Sequence, residues 1–195
     1  MKKSIQLIAA PTILCVVAGF LLAWAHSVTK APIERARKAE MIAALRKVLP
    51  ECDNDVLADV KVFKDNKGQA WTFHIARLKG SYVGTAFLAD SRKGYGGAIS
   101  TLVGVRADAT VNGIEIISAD KETPGLGAKV RERFFRCQFT NRSALDLAWD
   151  ALTKDGGQIN AITGATISSR AVTAAVRTGL QIFASHAAEI SGAAK

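Results

Sequence analysis

The chain has 195 residues, 49% of them hydrophobic and 22% charged, enough apolar material for one packed domain and too much for a disordered chain. Its 26 basic and 17 acidic residues leave a net charge of +9. No basic stripe interleaved with aromatics points to nucleic acid, and neither the cysteines nor the histidines have metal-ligand spacing.

The first element is apolar. Ile5 to Ala25, "IQLIAAPTILCVVAGFLLAWA", is 21 residues without a charge, and about 20 apolar residues span a bilayer as a helix. Lys2 and Lys3 before it, with Ala23-Trp24-Ala25 at its end, also fit a cleaved secretory signal. The length of the run and an interfacial Trp24 favour an uncleaved anchor. Lys2 and Lys3 argue for a cytoplasmic N-terminus, while Lys30, Arg35, Arg37 and Lys38 argue the reverse.

"SVTKAP" (27–32) reads as a linker, with Pro32 opening the next element. Residues 33–49 read as an amphipathic helix with Ile33, Met41, Ile42, Leu45, Val48 and Leu49 on one stripe, ended by Pro50. Alternation then replaces the helical period. Residues 55–65, 70–80, 81–90, 94–108 and 109–120 read as strands, with turns at "KDNKG" and "KG" and at Asn112-Gly113. Hairpins rather than alternating β-α units predict an α+β fold built on an antiparallel sheet. Gly94, Gly96 and Gly97 do not form a dinucleotide fingerprint.

"KETPGLGAKVRERFF" (121–135) reads as a loop that becomes a helix. Its basic cluster, Lys129, Arg131, Arg133 and Arg136, reads first as a solvated helix face. Residues 143–157 form a weaker helix or turn region, and a long alanine-rich helix runs from Ile167 to about Ala188. Cys52 and Cys137 are either free thiols or a pair formed in an oxidising compartment.

The densest chemistry precedes that last helix. Thr163, Thr166, Ser168 and Ser169 place four hydroxyls in seven residues. Capping a helix needs one. A helix N-terminus with added hydroxyl donors, and with Gly164 and Ala165 leaving room for close approach, makes an anion seat. Simple capping remains the other reading. There is no Walker loop and no nucleophile elbow.

Thr163-Gly164-Ala165-Thr166 resembles the [ST]-G-A-T motif of the FMN-binding domain family. Glu122 to Lys129, "ETPGLGAK", resembles that family's second signature, and Gly94-Tyr95-Gly96-Gly97 its upstream segment. The family includes the G subunits of Rnf ion-translocating oxidoreductases and the C subunits of sodium-pumping NADH:quinone reductases; a length close to 200 fits the G subunits. The resemblance implies three parts: an N-terminus and transmembrane anchor (1–30), a linker and amphipathic helix (31–50), and an FMN-binding domain (51–195).

The resemblance further implies FMN esterified through its phosphate to Thr166. Glu122, Thr123, Gly125, Leu126, Gly127, Lys129, Thr163, Gly164, Ala165 and Ser168 would surround it. It implies an electron relay with no catalytic residue or metal of its own, on the periplasmic side of the bacterial inner membrane. Its partners would be the other membrane subunits of the complex, including a second FMN-carrying one, and a flavin transferase that uses FAD and magnesium. A C subunit of the sodium-pumping reductase is the runner-up, and a membrane-anchored sensor module that binds flavin or phosphate non-covalently is the competing class. A cofactor-free envelope scaffold is a third, but it leaves "ETPGLG" unexplained.

Overall fold

The computed structural model describes residues 2–65 and 68–192 and, within the first helix, the side chains of Thr12 and of 14 onward. The chain divides after Met41 into two compact units.

A single helix, α1, runs from Lys2 to Val48, so the linker read at 27–32 is helical instead. Pro32 forfeits one main-chain hydrogen bond. However, no glycine occurs between Gly19 and Gly68, and the flanking Ala, Arg, Lys and Glu residues favour helix strongly enough to carry it through. Thr29 turns its hydroxyl back onto the Ala25 carbonyl at 2.7 Å. In the first unit Leu14, Phe20, Leu22 and Trp24 are exposed. The helix is long and apolar enough to cross a membrane.

The second unit begins with the last turns of α1. Of the predicted apolar stripe, Leu45, Val48 and Leu49 are buried, together with Ala44, whereas Ile33 and Ile42 are exposed. A five-stranded antiparallel meander follows: β1 (Val60–Lys64), β2 (Ala70–Leu78), β3 (Ser81–Ser91), β4 (Ile99–Arg106) and β5 (Val111–Ser118), paired in chain order. β1 starts later than its alternation suggests, because Asp55 closes a turn, accepting the Leu57 N–H on its side chain and the Ala58 and Asp59 N–H groups on its carbonyl. The turn read at "KDNKG" includes residues 66 and 67, which lie outside the described residues.

Asn112-Gly113 is not a turn. Both residues lie within β5, where Gly113 pairs with Gly104. Asn112 instead accepts from Arg106 Nε at 2.8 Å and donates to the Val48 carbonyl at 2.8 Å, tying the sheet to the end of α1. The β4–β5 reversal is made upstream, where Asp108 accepts from the N–H and hydroxyl of Thr110 and Ala109 takes φ +58°.

Alternation gives the sheet two buried faces. On one, Gly84 meets Pro50 and Gly104 meets the Val48 main chain, so the end of α1 lies directly on β3 and β4. On the other lies the last helix, α3 (Thr166–Ser191). Gly179 there sits against the Phe87 ring, with no space for a Cβ. Phe73, Phe87, Val103 and Val105 from the sheet join Val172, Val176, Leu180 and Phe183 from α3 in the main core.

Between β5 and α3 the chain makes only short helical pieces. A 3₁₀ turn (127–131) is separated by an extended Glu132 from a single α-turn, α2 (Arg133–Arg136). The basic cluster is therefore not one helix face. Arg131 pairs with Asp120, and Arg136 pairs with Glu115. Residues 143–157 are turns with one 3₁₀ segment (153–155). All three cysteines are free.

Asp150 lies in this last segment, 1% exposed, and neither carboxylate oxygen has a hydrogen-bond partner among the described residues. Arg177 donates to its main-chain carbonyl at 2.8 Å. Burial pushes the Asp150 carboxyl up to about 7 from an ordinary 3.8, against the pull of Arg177. The fold thus holds this proton more tightly than the unfolded chain does. The contribution to stability is complete below pH 3.8 and is lost as pH rises toward and through about 7. Asp150→Asn should flatten the fall in stability between pH 4 and 8, with the variant more stable than wild type at pH 8. Urea unfolding of the detergent-solubilised chain across that range measures it; parallel wild-type and variant profiles would refute the assignment.

Candidate functional site

Three segments separated in sequence meet at the start of α3. They enclose a cavity of about 500 Å³, within the size range of small-molecule and cofactor pockets. The loop after β3 contributes Tyr95. The loop after β5 contributes Glu122, Thr123, Leu126 and Gly127. The turn into α3 contributes Gly164 to Ser168.

Two of these segments are built alike. Leu126 N–H bonds to the Thr123 carbonyl at 3.1 Å across Pro124 and Gly125, with Gly125 at φ +77°. Ala165 N–H bonds to the Ile162 carbonyl at 2.9 Å across Thr163 and Gly164, with Gly164 at φ +79°. Both turns need a glycine at the third position to reach positive φ. They also touch: a Cβ on Gly164 would lie 3.1 Å from Leu126 Cδ2.

The helix start is open. No side chain caps α3, so the N–H groups of its first turn and its partial positive charge are left for a ligand. No lysine or arginine lines the cavity. Arg170, one turn into the helix, is instead engaged with both oxygens of Asp155 at 2.8 and 2.9 Å.

The four hydroxyls have different duties. Ser169 is internal: it accepts the Ile162 N–H and donates to the Ala165 carbonyl, each at 3.0 Å. Ser168 is buried and donates to Glu122 Oε2 at 2.5 Å. Thr163 is exposed and does not line the cavity. Thr166 is half-buried, lines the cavity and has no hydrogen-bond partner among the described residues.

Glu122 is 3% exposed and joins all three segments. Oε2 accepts from Ser168, and Oε1 accepts the Gly96 N–H at 3.0 Å. A Cβ on Gly94 would lie 2.6 Å from Oε1, and one on Gly127 would strike Oε2 and Ser168. The missing side chain at Gly127 therefore makes room for this carboxylate.

Of the residues singled out from sequence, Glu122, Thr123, Leu126, Gly127, Gly164, Ala165, Thr166 and Ser168 share the cavity, while Gly125, Lys129 and Thr163 do not line it. Gly125 shapes the turn instead. Tyr95 and Ile167 complete the lining, exposed at 71% and 50%. Tyr95 lies in the glycine-rich segment noted in the sequence, and its aromatic ring among glycines was the available signal. Nothing in the sequence separated Ile167 from an ordinary helix residue.

The model of the FMN-binding domain family matches residues 94–181, which hold all three segments. The G subunit of the ion-translocating oxidoreductase complex of Aliivibrio fischeri (strain MJ11) is 34% identical, over 97% of this chain and 93% of its own length. Its counterpart in Cereibacter sphaeroides (strain ATCC 17023) is 35% identical over 89% and 81%. The G subunit of the Na(+)-translocating ferredoxin:NAD(+) oxidoreductase complex of Acetobacterium woodii is 31% identical over 88% and 87%. The crystal structure of Shewanella oneidensis NqrC shares the fold, with a TM-score of 0.52 at 17% identity, over 76% of this chain and 74% of that one. The chain belongs to the family of G subunits of ion-translocating oxidoreductase complexes.

Proposed function

We propose that this chain is the electron-transferring G subunit of an ion-translocating oxidoreductase complex, carrying FMN through a phosphoester to Thr166. The observation that carries this reading is the Thr166 hydroxyl, unpartnered among the described residues, in the cavity at an uncapped helix start. The cavity fits the group: the first-turn N–H groups suit a phosphate, and Tyr95, Leu126 and Ile167 offer apolar surface to a flat ring.

When bound, FMN supplies the redox chemistry, accepting and passing on electrons singly. The residues of the chain hold and shield it. The Thr166 oxygen bears the link, and the open turn of α3 stabilises the remaining phosphate charge. Leu126, in the cavity wall, would shield part of a bound ring from water. A covalent link suits a relay on the periplasmic side of the inner membrane, where a lost flavin is not replaced. α1 would then anchor the chain with its N-terminus in the cytoplasm. Attachment requires a flavin transferase, and electrons pass to and from other membrane subunits, one of them also carrying FMN. A non-covalent flavin in the same cavity is the alternative, and denaturation separates the two because only a covalent flavin survives it.

Thr166→Ala should abolish in-gel flavin fluorescence under denaturing conditions, whereas Thr163→Ala should retain it. Mass spectrometry of the 160–176 peptide checks the assignment; an FMN adduct on another residue overturns it.

A reporter active only outside the cytoplasm, fused after Lys195, should be active. An inactive fusion at normal expression would place the flavin domain on the other side.

Leu126→Ala should keep the flavin on Thr166 and raise its midpoint potential, because added water favours the charged reduced form. About 1 kcal/mol of added solvation of the reduced form corresponds to ~40 mV for one electron. Redox titration of the purified chain measures the change. An unchanged potential would mean that Leu126 serves docking to a neighbouring subunit instead.

A further inference from the structure

Glu122 is a costly residue for the position it holds. The residue is 3% exposed, and no cation is paired with its carboxylate among the described residues. Burying a charge without a counter-ion is unfavourable. Both of its hydrogen bonds are of kinds that a neutral amide makes equally well. A Gln carbonyl would accept the Gly96 N–H, and its amide would donate to the Ser168 hydroxyl, which can accept as readily as donate. Joining the three segments therefore explains the shape of the side chain and leaves its charge unexplained. Gly94 and Gly127 abut the same two oxygens, so the surrounding chain is built to admit the carboxylate. The residue also lines the cavity, so its field acts on whatever is bound there.

Resting on the FMN reading above, we propose that Glu122 sets the potential of the bound flavin through the uncompensated negative charge of its carboxylate. Reduction adds electrons to the ring, and a fixed negative charge in the cavity wall opposes that addition. The carboxylate holds the midpoint potential low, making the reduced cofactor a stronger donor to the next carrier. Ser168 and Gly96 keep the charge in place and disperse part of it.

Two variants of the full-length, flavinylated chain separate charge from shape. Glu122→Gln keeps the reach and both hydrogen bonds and removes the charge. Glu122→Asp keeps the charge and shortens the reach. Redox titration should show a midpoint potential clearly more positive in Glu122→Gln and close to wild type in Glu122→Asp. A Glu122→Gln potential equal to wild type overturns the inference. So does a Glu122→Asp potential shifted upward while its flavin remains on Thr166, because that pattern belongs to a purely structural latch; if Glu122→Gln does not accumulate, this second measurement decides. Mass spectrometry of the wild-type 160–176 peptide is run alongside. A peptide without FMN there refutes the attachment reading itself, whereas FMN on Thr166 with no charge-dependent shift refutes only the role of Glu122.

Discussion

The cavity depends on one buried carboxylate. Glu122 accepts a hydrogen bond from Gly96, 26 residues upstream, and another from Ser168, 46 residues downstream. Without that junction, the loop after β3, the loop after β5 and the first turn of α3 would be three surface turns with no common purpose. The surrounding composition follows from it. A side chain on Gly127 would strike the carboxylate, and one on Gly94 would meet it and, closer still, the Gly97 carbonyl, while Ser168 is spent on the bond rather than on a ligand. Of the four hydroxyls from Thr163 to Ser169, only Thr166 is left facing the cavity without a hydrogen-bond partner among the described residues, beside an open helix end.

The sheet supplies the rigidity that this arrangement needs. β3 and β4 are covered on one face by α3 and on the other by residues 44–50. The register of the central strands is therefore fixed by burial on both sides. Close approach is achieved by glycine on each face: Gly179 under Phe87, and Gly104 under Val48. The start of α3 is thereby held at a fixed place beside the loop after β5, and the ligand-facing turns can be irregular because the elements behind them are not.

Much of this was readable from the residues. Alternation is clearest in β1 and at the start of β2; β3 and β4, covered on both faces, read instead as largely apolar runs bounded by turns. The two glycine-containing signatures located the cavity. The misreadings share a cause in long-range contact. Asn112-Gly113 has the composition of a hairpin turn, but Asn112 is committed to Arg106 and Val48, and no local pattern encodes the second of those partners. Pro32 looks like a boundary until the helix-favouring residues on both sides are weighed together. The division of labour among the four hydroxyls was equally hidden. Which of them faces a ligand depends on Glu122, far away in the chain, and on main-chain atoms that carry no residue signature.

The uncapped start of α3 has a consequence for biogenesis. Helix ends fray where their N–H groups lack partners, and here that end is the edge of the cavity. Anything bound there is linked to the folding of the first turn, so loading and local order reinforce each other. If FMN is held there as proposed, the unloaded and loaded chains would differ in how tightly the first turn of α3 is held. A protease or chaperone that samples loose segments would then have a direct means of telling an unloaded chain from a loaded one.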